Sequence, residues 1–177
     1  MNDHSIQGRA LFHHRDSGGK AEMTPVQYVE WAQRKAFELH LSFDGTPERI
    51  EAMIREGRSV VGDLFVDYDV KGNQLSRTGL NALIKEAVDD PAVMAILIPR
   101  RDRLARPDDP LDGIKLENVF RHAGKAVVYM NQTLPPLKKG GRPDIAQLIT
   151  GLVDFDRAEK DRRELAEKIL YAQLRLA

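Results

Sequence analysis

Apolar and polar positions switch period several times along the chain. The short run "RALFHH" after Gly8 reads as a first strand, and the Gly-rich "HRDSGGK" that follows reads as a polar turn. Thr24 and Pro25 then open a helix, with Thr at the cap and Pro in the first turn; Val29, Ala32, Ala36 and Leu39 give it an apolar face. Thr46 and Pro47 open a second helix, which Glu48 and Glu51 suit at its N-terminal end and Gly57 ends. "SVVGDLFVDYDV" predicts the next strand and "KGNQLS" a loop. The segment 77–88 predicts a helix with Leu80, Leu83, Ile84 and Ala87 on one side. "AVMAILI" is a continuous apolar run, the mark of a central strand buried on both faces. A helix is expected over 111–122, stopped by Gly124, and "KAVVYM" reads as another buried strand.

This alternation predicts an α/β fold: a mainly parallel sheet of about four to five strands flanked by helices. In such sheets the working site lies at the carboxyl ends of the strands. Those ends carry residues 14–17, 67–71 and 100–106. The stretch 143–177 differs from the rest. Pro143 and Asp144 suit a helix start, and Ile145, Leu148, Ile149, Leu152 and Phe155 form an apolar stripe that Leu165, Ile169 and Leu176 continue more thinly. One helix over this stretch would be roughly 50 Å long. It would overhang its own core and need a partner, unless it kinks near Gly151 and folds back. The expected organisation is a core over 1–142 and a long helix over 143–177.

The chain has 177 residues, 42% of them hydrophobic, enough for one core without disulfides. It has no cysteine, which removes thiol catalysis and Cys-based zinc sites and fits a reducing interior. No apolar run reaches the length of a membrane span, and the N-terminus lacks a signal peptide's apolar core, so a soluble cytoplasmic protein is expected and no membrane partner. Formal net charge is zero. Nucleic-acid binders are usually basic, so any such contact must come from local patches or from a module outside this chain.

One local patch stands out. Arg100, Arg101, Arg103 and Arg106 crowd the segment directly after the apolar run 95–98. Guanidinium groups at a strand end cannot be buried without anionic partners, and their planar forks match phosphate oxygens. Ser17 lies just past the first strand, with Arg15 two residues before it and on the same side of extended backbone. No base for a Ser–His–Asp triad is evident, because His13 and His14 are on the strand itself and His40 and His122 are in or near helices. A serine among arginines without a clear base suits attack on phosphorus, where catalysis is mainly positioning and charge neutralisation. Asp67 and Asp69 fit a turn, an arginine anchor or a metal site; a turn and anchor role is expected, and no metal site. The basic loop "LKKGGR" over 137–142, with Lys138, Lys139 and Arg142, fits a contact to DNA backbone or a solvated loop. Gln132 and Thr133 carry no strong signal. No Walker pattern or dinucleotide-type glycine fingerprint follows a strand.

Together these motifs resemble those of serine recombinases (resolvases, invertases and their large relatives). "HHRDS" is similar to the Tyr-x-Arg-x-Ser signature that opens their catalytic domain, and Gln27 falls where the family has a glutamine in its first helix. "DYDVKG" followed by "SRTGL" resembles Asp-x-x-x-Ser-Gly followed by Arg-x-Gly-Leu. "DRLAR" over 102–106 matches Asp-Arg-Leu-x-Arg outright. The terminal segment looks like the family's long dimerisation helix. Three departures stand beside these: His13 replaces the usual tyrosine, Lys71 replaces the serine before Gly72, and 42–59 looks like an insertion.

The resemblance implies site-specific cleavage and rejoining of double-stranded DNA. Ser17 would attack the scissile phosphate, giving a 5′-phosphoserine link and a free 3′-hydroxyl, with no cofactor needed. Arg15, Arg103 and Arg106 would hold the non-bridging oxygens, Arg77 would activate or place the serine, Asp102 would orient the arginines, and Gln27 would sit at the rim. Arg100, Lys71, Lys138, Lys139 and Arg142 would contact DNA. The implied assembly is a homodimer, and a tetramer in the synaptic complex. The family's separate DNA-binding domain, which follows the long helix, is expected to be absent here. The His13 and Lys71 departures leave a second expectation open: a weakened module kept for dimerisation or DNA scaffolding.

Overall fold

The computed structural model describes residues 8–16, 23–70, 74, 75, 77–104, 110–138, 141, 149 and 153. Strand β1 (Gly8–Asp16) is central. It pairs in parallel with β4 (Leu64–Val70) on one side and with β6 (Val93–Leu97) on the other; β6 pairs in parallel with β7 (Ala126–Val128). These strands lie in the order β4-β1-β6-β7. Short strands complete a mixed sheet: β2 (Leu41–Ser42) runs parallel to β1, while β3 (Val60–Val61), β5 (Gln74–Leu75) and β8 (Thr133–Leu134) are antiparallel to β4, β4 and β7.

Three of these short strands correct the sequence reading. The stretch predicted as one strand over 59–70 is a hairpin of β3 and β4, because Gly62 at φ 57° takes a left-handed turn that an L side chain resists. Within the predicted loop, Gln74 and Leu75 pair with Val70 and Asp69. Thr133, which carried no signal, pairs with Val128 as β8 turns back from β7.

Helices cover both faces, as a predominantly parallel sheet requires. Helix α1 (Pro25–Glu38) starts at a capping box: Thr24 Oγ1 accepts from Gln27 N, and the Gln27 side chain accepts from Thr24 N at 2.8 Å. Helix α2 (Pro47–Glu56) is capped by Thr46 and stopped at Gly57. Both lie on one face, where Tyr28, Val29, Ala32, Ile50 and Met53 meet Ala10, Phe12, Leu64 and Val66. The 42–59 segment therefore completes a core layer, with Ile50 and Met53 fully buried. On the other face, α3 (Thr78–Asp89) and α4 (Pro110–His122) supply Leu80, Leu83, Ala87 and Phe120 against Leu11, Phe65, Ile96 and Val127.

The apolar stripes fray at their ends. Leu39 caps α1 and is partly exposed, and Met94 is 45% exposed within the otherwise buried β6. The predicted 143–177 helix lies outside the described residues except for Ile149 and Val153, which are helical and more than half exposed.

The parallel strands enter the chain as β1, β4, β6 and β7, so successive connections leave β1 in opposite directions. The order reverses between β1 and β6. At such a switch point the loops after the two strands diverge and leave a crevice at their carboxyl ends. Arg15 lies near the carboxyl end of β1, and Arg100, Arg101 and Arg103 lie in the segment after β6.

Candidate active site

The alternation of β1 sorts the residues before Ser17. Leu11 faces α3 and α4 while Phe12 faces α1, so the pleat places His13 and Arg15 on the α3 side and His14 on the α1 side. All three are buried: His13 is 1% exposed, His14 3% and Arg15 8%. Most polar groups buried in this way are hydrogen-bonded.

His13 finds its partner in Asp67, with Nε2 at 2.9 Å from Oδ2. The Asp67 carboxylate also accepts from Gly79 N at 2.8 Å and from Leu80 N, and so caps α3, whose N-cap residue Arg77 offers no side-chain cap. Gly79 makes this approach possible: a Cβ there would fall 2.6 Å from the Val66 carbonyl oxygen. Asp67 thus belongs to a strand rather than the expected turn, and it stands opposite Arg15 in the register of β1 and β4. A carboxylate only accepts, which assigns the Nε2–H tautomer to His13. His13 Nδ1 is buried with no hydrogen-bond partner. No group of metal-ligating side chains is found among the described residues.

His14 packs between Phe12 and Tyr28, with its ring centroid 5.4 Å from that of Tyr28. Burial, then the Arg103 guanidinium, with His13 and Arg15 adding to it, pushes the imidazole down to about 3. His14 is therefore uncharged at neutral pH and a poor proton acceptor. Arg15, at the end of β1, and Arg103, beyond β6, are the two arginines whose charge contributes to this shift.

Arg103 comes from a single 3-10 turn, Arg101–Arg103, that packs on β1. Within it Asp102 accepts from Arg100 Nε at 3.1 Å and lies 3.9 Å from Arg103 Nε. Arg101 points the other way, into the core. Its fork grips Glu117 of α4, Nε to Oε1 at 2.6 Å and Nη2 to Oε2 at 3.2 Å. Nothing in the run of arginines marks one member as an internal ion pair, because its partner lies sixteen residues on.

The remaining expected residues divide. Arg77 Nη1 is 3.3 Å from Asp112 Oδ2 at the start of α4, on the same edge as Arg103. Gln27 is exposed, and its side-chain oxygen is committed to the α1 cap. Lys138 is exposed and sits at the other edge: Leu137 N binds Arg121 O at the end of α4, and Arg121 Nε binds Pro135 O. Ser17, Lys71, Arg106, Lys139 and Arg142 lie outside the described residues.

The amino edge of the sheet differs in character. There Arg9 binds Asp63, Glu86 and Asp90 together. No family model matches the chain, and no curated protein matches it.

Proposed function

We propose that the carboxyl edge of the sheet is a phosphodiester site and that the chain is the catalytic domain of a serine-type DNA recombinase. The observation that carries this reading is the placement of Arg15 at the carboxyl end of β1, two positions before Ser17 in sequence, and of Arg103 in the turn after β6 that packs on β1. In this reading Ser17 Oγ bonds to phosphorus as the bond to the 3′-oxygen breaks. The proton lost by the serine is matched by the one gained at the departing 3′-hydroxyl. Arg15, Arg103 and Arg106 neutralise the charge that grows on the non-bridging oxygens. Asp102 orients Arg100 and Arg103, and Arg77 stands at the rim. His14, uncharged and weakly basic, does not serve as the base in this reading.

The partner in this reading is double-stranded DNA, bound by a homodimer that pairs into a tetramer. Ile149 and Val153 support the dimer: they are helical, exposed and one turn apart. A DNA substrate nicked near the crossover point tests the reaction. The wild-type chain should accumulate a covalent protein–DNA adduct that Ser17→Ala abolishes.

A second reading rests on one specific observation. His13 is locked to Asp67 where the resemblance expects tyrosine. If the chain is a weakened module for scaffolding or dimerisation, the nicked substrate gives no adduct while binding to intact DNA persists.

A further inference from the structure

Arg101, Glu117 and Tyr129 form a buried cluster that the proposed reaction does not use directly. The side chains of Arg101 and Glu117 are 5% and 4% exposed. Tyr129 is fully buried at the end of β7 and donates its hydroxyl to Glu117 Oε1 at 2.7 Å. The Arg101 guanidinium also lies over the Tyr129 ring, 5.5 Å from its centroid. Burial, and then the Glu117 carboxylate, push the Tyr129 phenol well above its ordinary value, so it stays a donor.

We infer that this cluster is a positioning device for Arg103, built to fix the 3-10 turn rather than to stabilise the fold. A three-residue turn holds itself by little: Arg103 N bonds to Arg100 O and Leu104 N to Arg101 O, each at 3.0 Å. Removing two charges from water costs about as much as their attraction returns, and apolar replacements of buried pairs are often neutral or stabilising. What an apolar pair cannot supply is direction. A two-pronged fork fixes the plane and the distance of the guanidinium. Because Arg101 lies between Asp102 and Arg100, its anchored side chain sets the peptide planes from which Arg100, Asp102 and Arg103 project. The three anchors come from three elements, namely the turn after β6, α4 and the end of β7. Met130 N adds a backbone tie to Pro99 O at 3.2 Å. Helix α4 holds a second arginine of the same edge, since its Asp112 pairs with Arg77. One helix thus registers two arginines of the site.

This inference rests on the recombinase reading only for its catalytic arm. The test is the triple variant Arg101→Met/Glu117→Leu/Tyr129→Phe, which removes the three polar groups of the cluster together rather than leaving one of them without the others. Its melting temperature should equal or exceed that of the wild type. Amide exchange at Arg103 and Leu104 should nevertheless accelerate about tenfold or more, with the amides of β1 and β6 unchanged. Adduct formation on the nicked substrate should slow about tenfold to a hundredfold at unaltered DNA affinity. Unchanged exchange at Arg103 and Leu104 overturns the inference, and so does a loss of protection spread evenly over the sheet. Should the triple variant not fold, Glu117→Gln is read by the same two measurements. If the wild type forms no adduct, the recombinase reading falls, and the exchange arm alone still decides the positioning role.

Discussion

His13 and Asp67 join β1 to β4 through a buried hydrogen bond of 2.9 Å, and the same carboxylate holds the first amides of α3. One side chain therefore ties two strands to a helix beside the candidate site. Asp67→Ala would orphan two amides and an imidazole at once. The expected loss of stability is about 3 kcal/mol, read from urea unfolding. Asp67→Asn keeps an oxygen for the helix cap and should lose clearly less. A loss under about 1 kcal/mol for the alanine variant contradicts this account.

His14 predicts an acid limb in stability. The unfolded chain protonates it near 6.5 and the folded chain only near 3, so between those values the unfolded state binds the extra proton. Stability is complete above about pH 6.5 and falls as pH drops toward 3, with a ceiling of roughly 5 kcal/mol. His14→Phe keeps an aromatic ring between Phe12 and Tyr28 and removes the proton. Its urea midpoint should lose less than the wild type's between pH 7 and pH 4. Arg103→Ala should move the His14 titration upward by NMR, since it takes away the largest charge acting on the ring; an unmoved titration places Arg103 elsewhere.

Gln27 separates a cap from a catalytic rim. With its oxygen 2.8 Å from Thr24 N, Gln27→Ala should cost about 1 kcal/mol of stability and leave the rate of adduct formation unchanged. A large rate loss without a stability change would reverse that assignment.

Local signals were readable where a single residue decides the backbone. Thr24-Pro25 and Thr46-Pro47 start helices because caps and proline act within a few residues, and the run 93–97 is a buried strand because nothing polar interrupts it. The alternation of strands and helices also implied parallel main strands, which puts the ends bearing Arg15 and Arg103 on one edge of the sheet. Gly62 carried a signal, a glycine inside a strand pattern, that marks a hairpin, and Thr24-x-x-Gln27 is a capping box that its spacing alone could have revealed. Pairings across distance had no such mark. Arg101 looks like its neighbours in sequence, and only folding brings Glu117 and Tyr129 to it; Asp67 meets His13 across 54 positions. The short β5 and β8 are likewise set by the strands they pair with and not by their own composition.

The arginines of the edge should be distinguishable in function by where each one sits. Arg103 has a side chain only 12% exposed, and the proposed reaction puts it where charge develops. Arg103→Ala should slow adduct formation about a hundredfold, equivalent to about 3 kcal/mol of transition-state stabilisation. Arg100 is more open, with a side chain 39% exposed and bonded to Asp102. Arg100→Ala should weaken DNA binding and lower the slope of affinity against salt by about one, with a smaller effect on rate. Lys138, at the far edge of the sheet, should change neither when replaced by alanine. Rates and salt slopes measured together on the three variants check this division: equal rate losses in Arg103→Ala and Arg100→Ala, or a reduced slope in Lys138→Ala, would mean that the DNA does not lie across the carboxyl ends of β1 and β6.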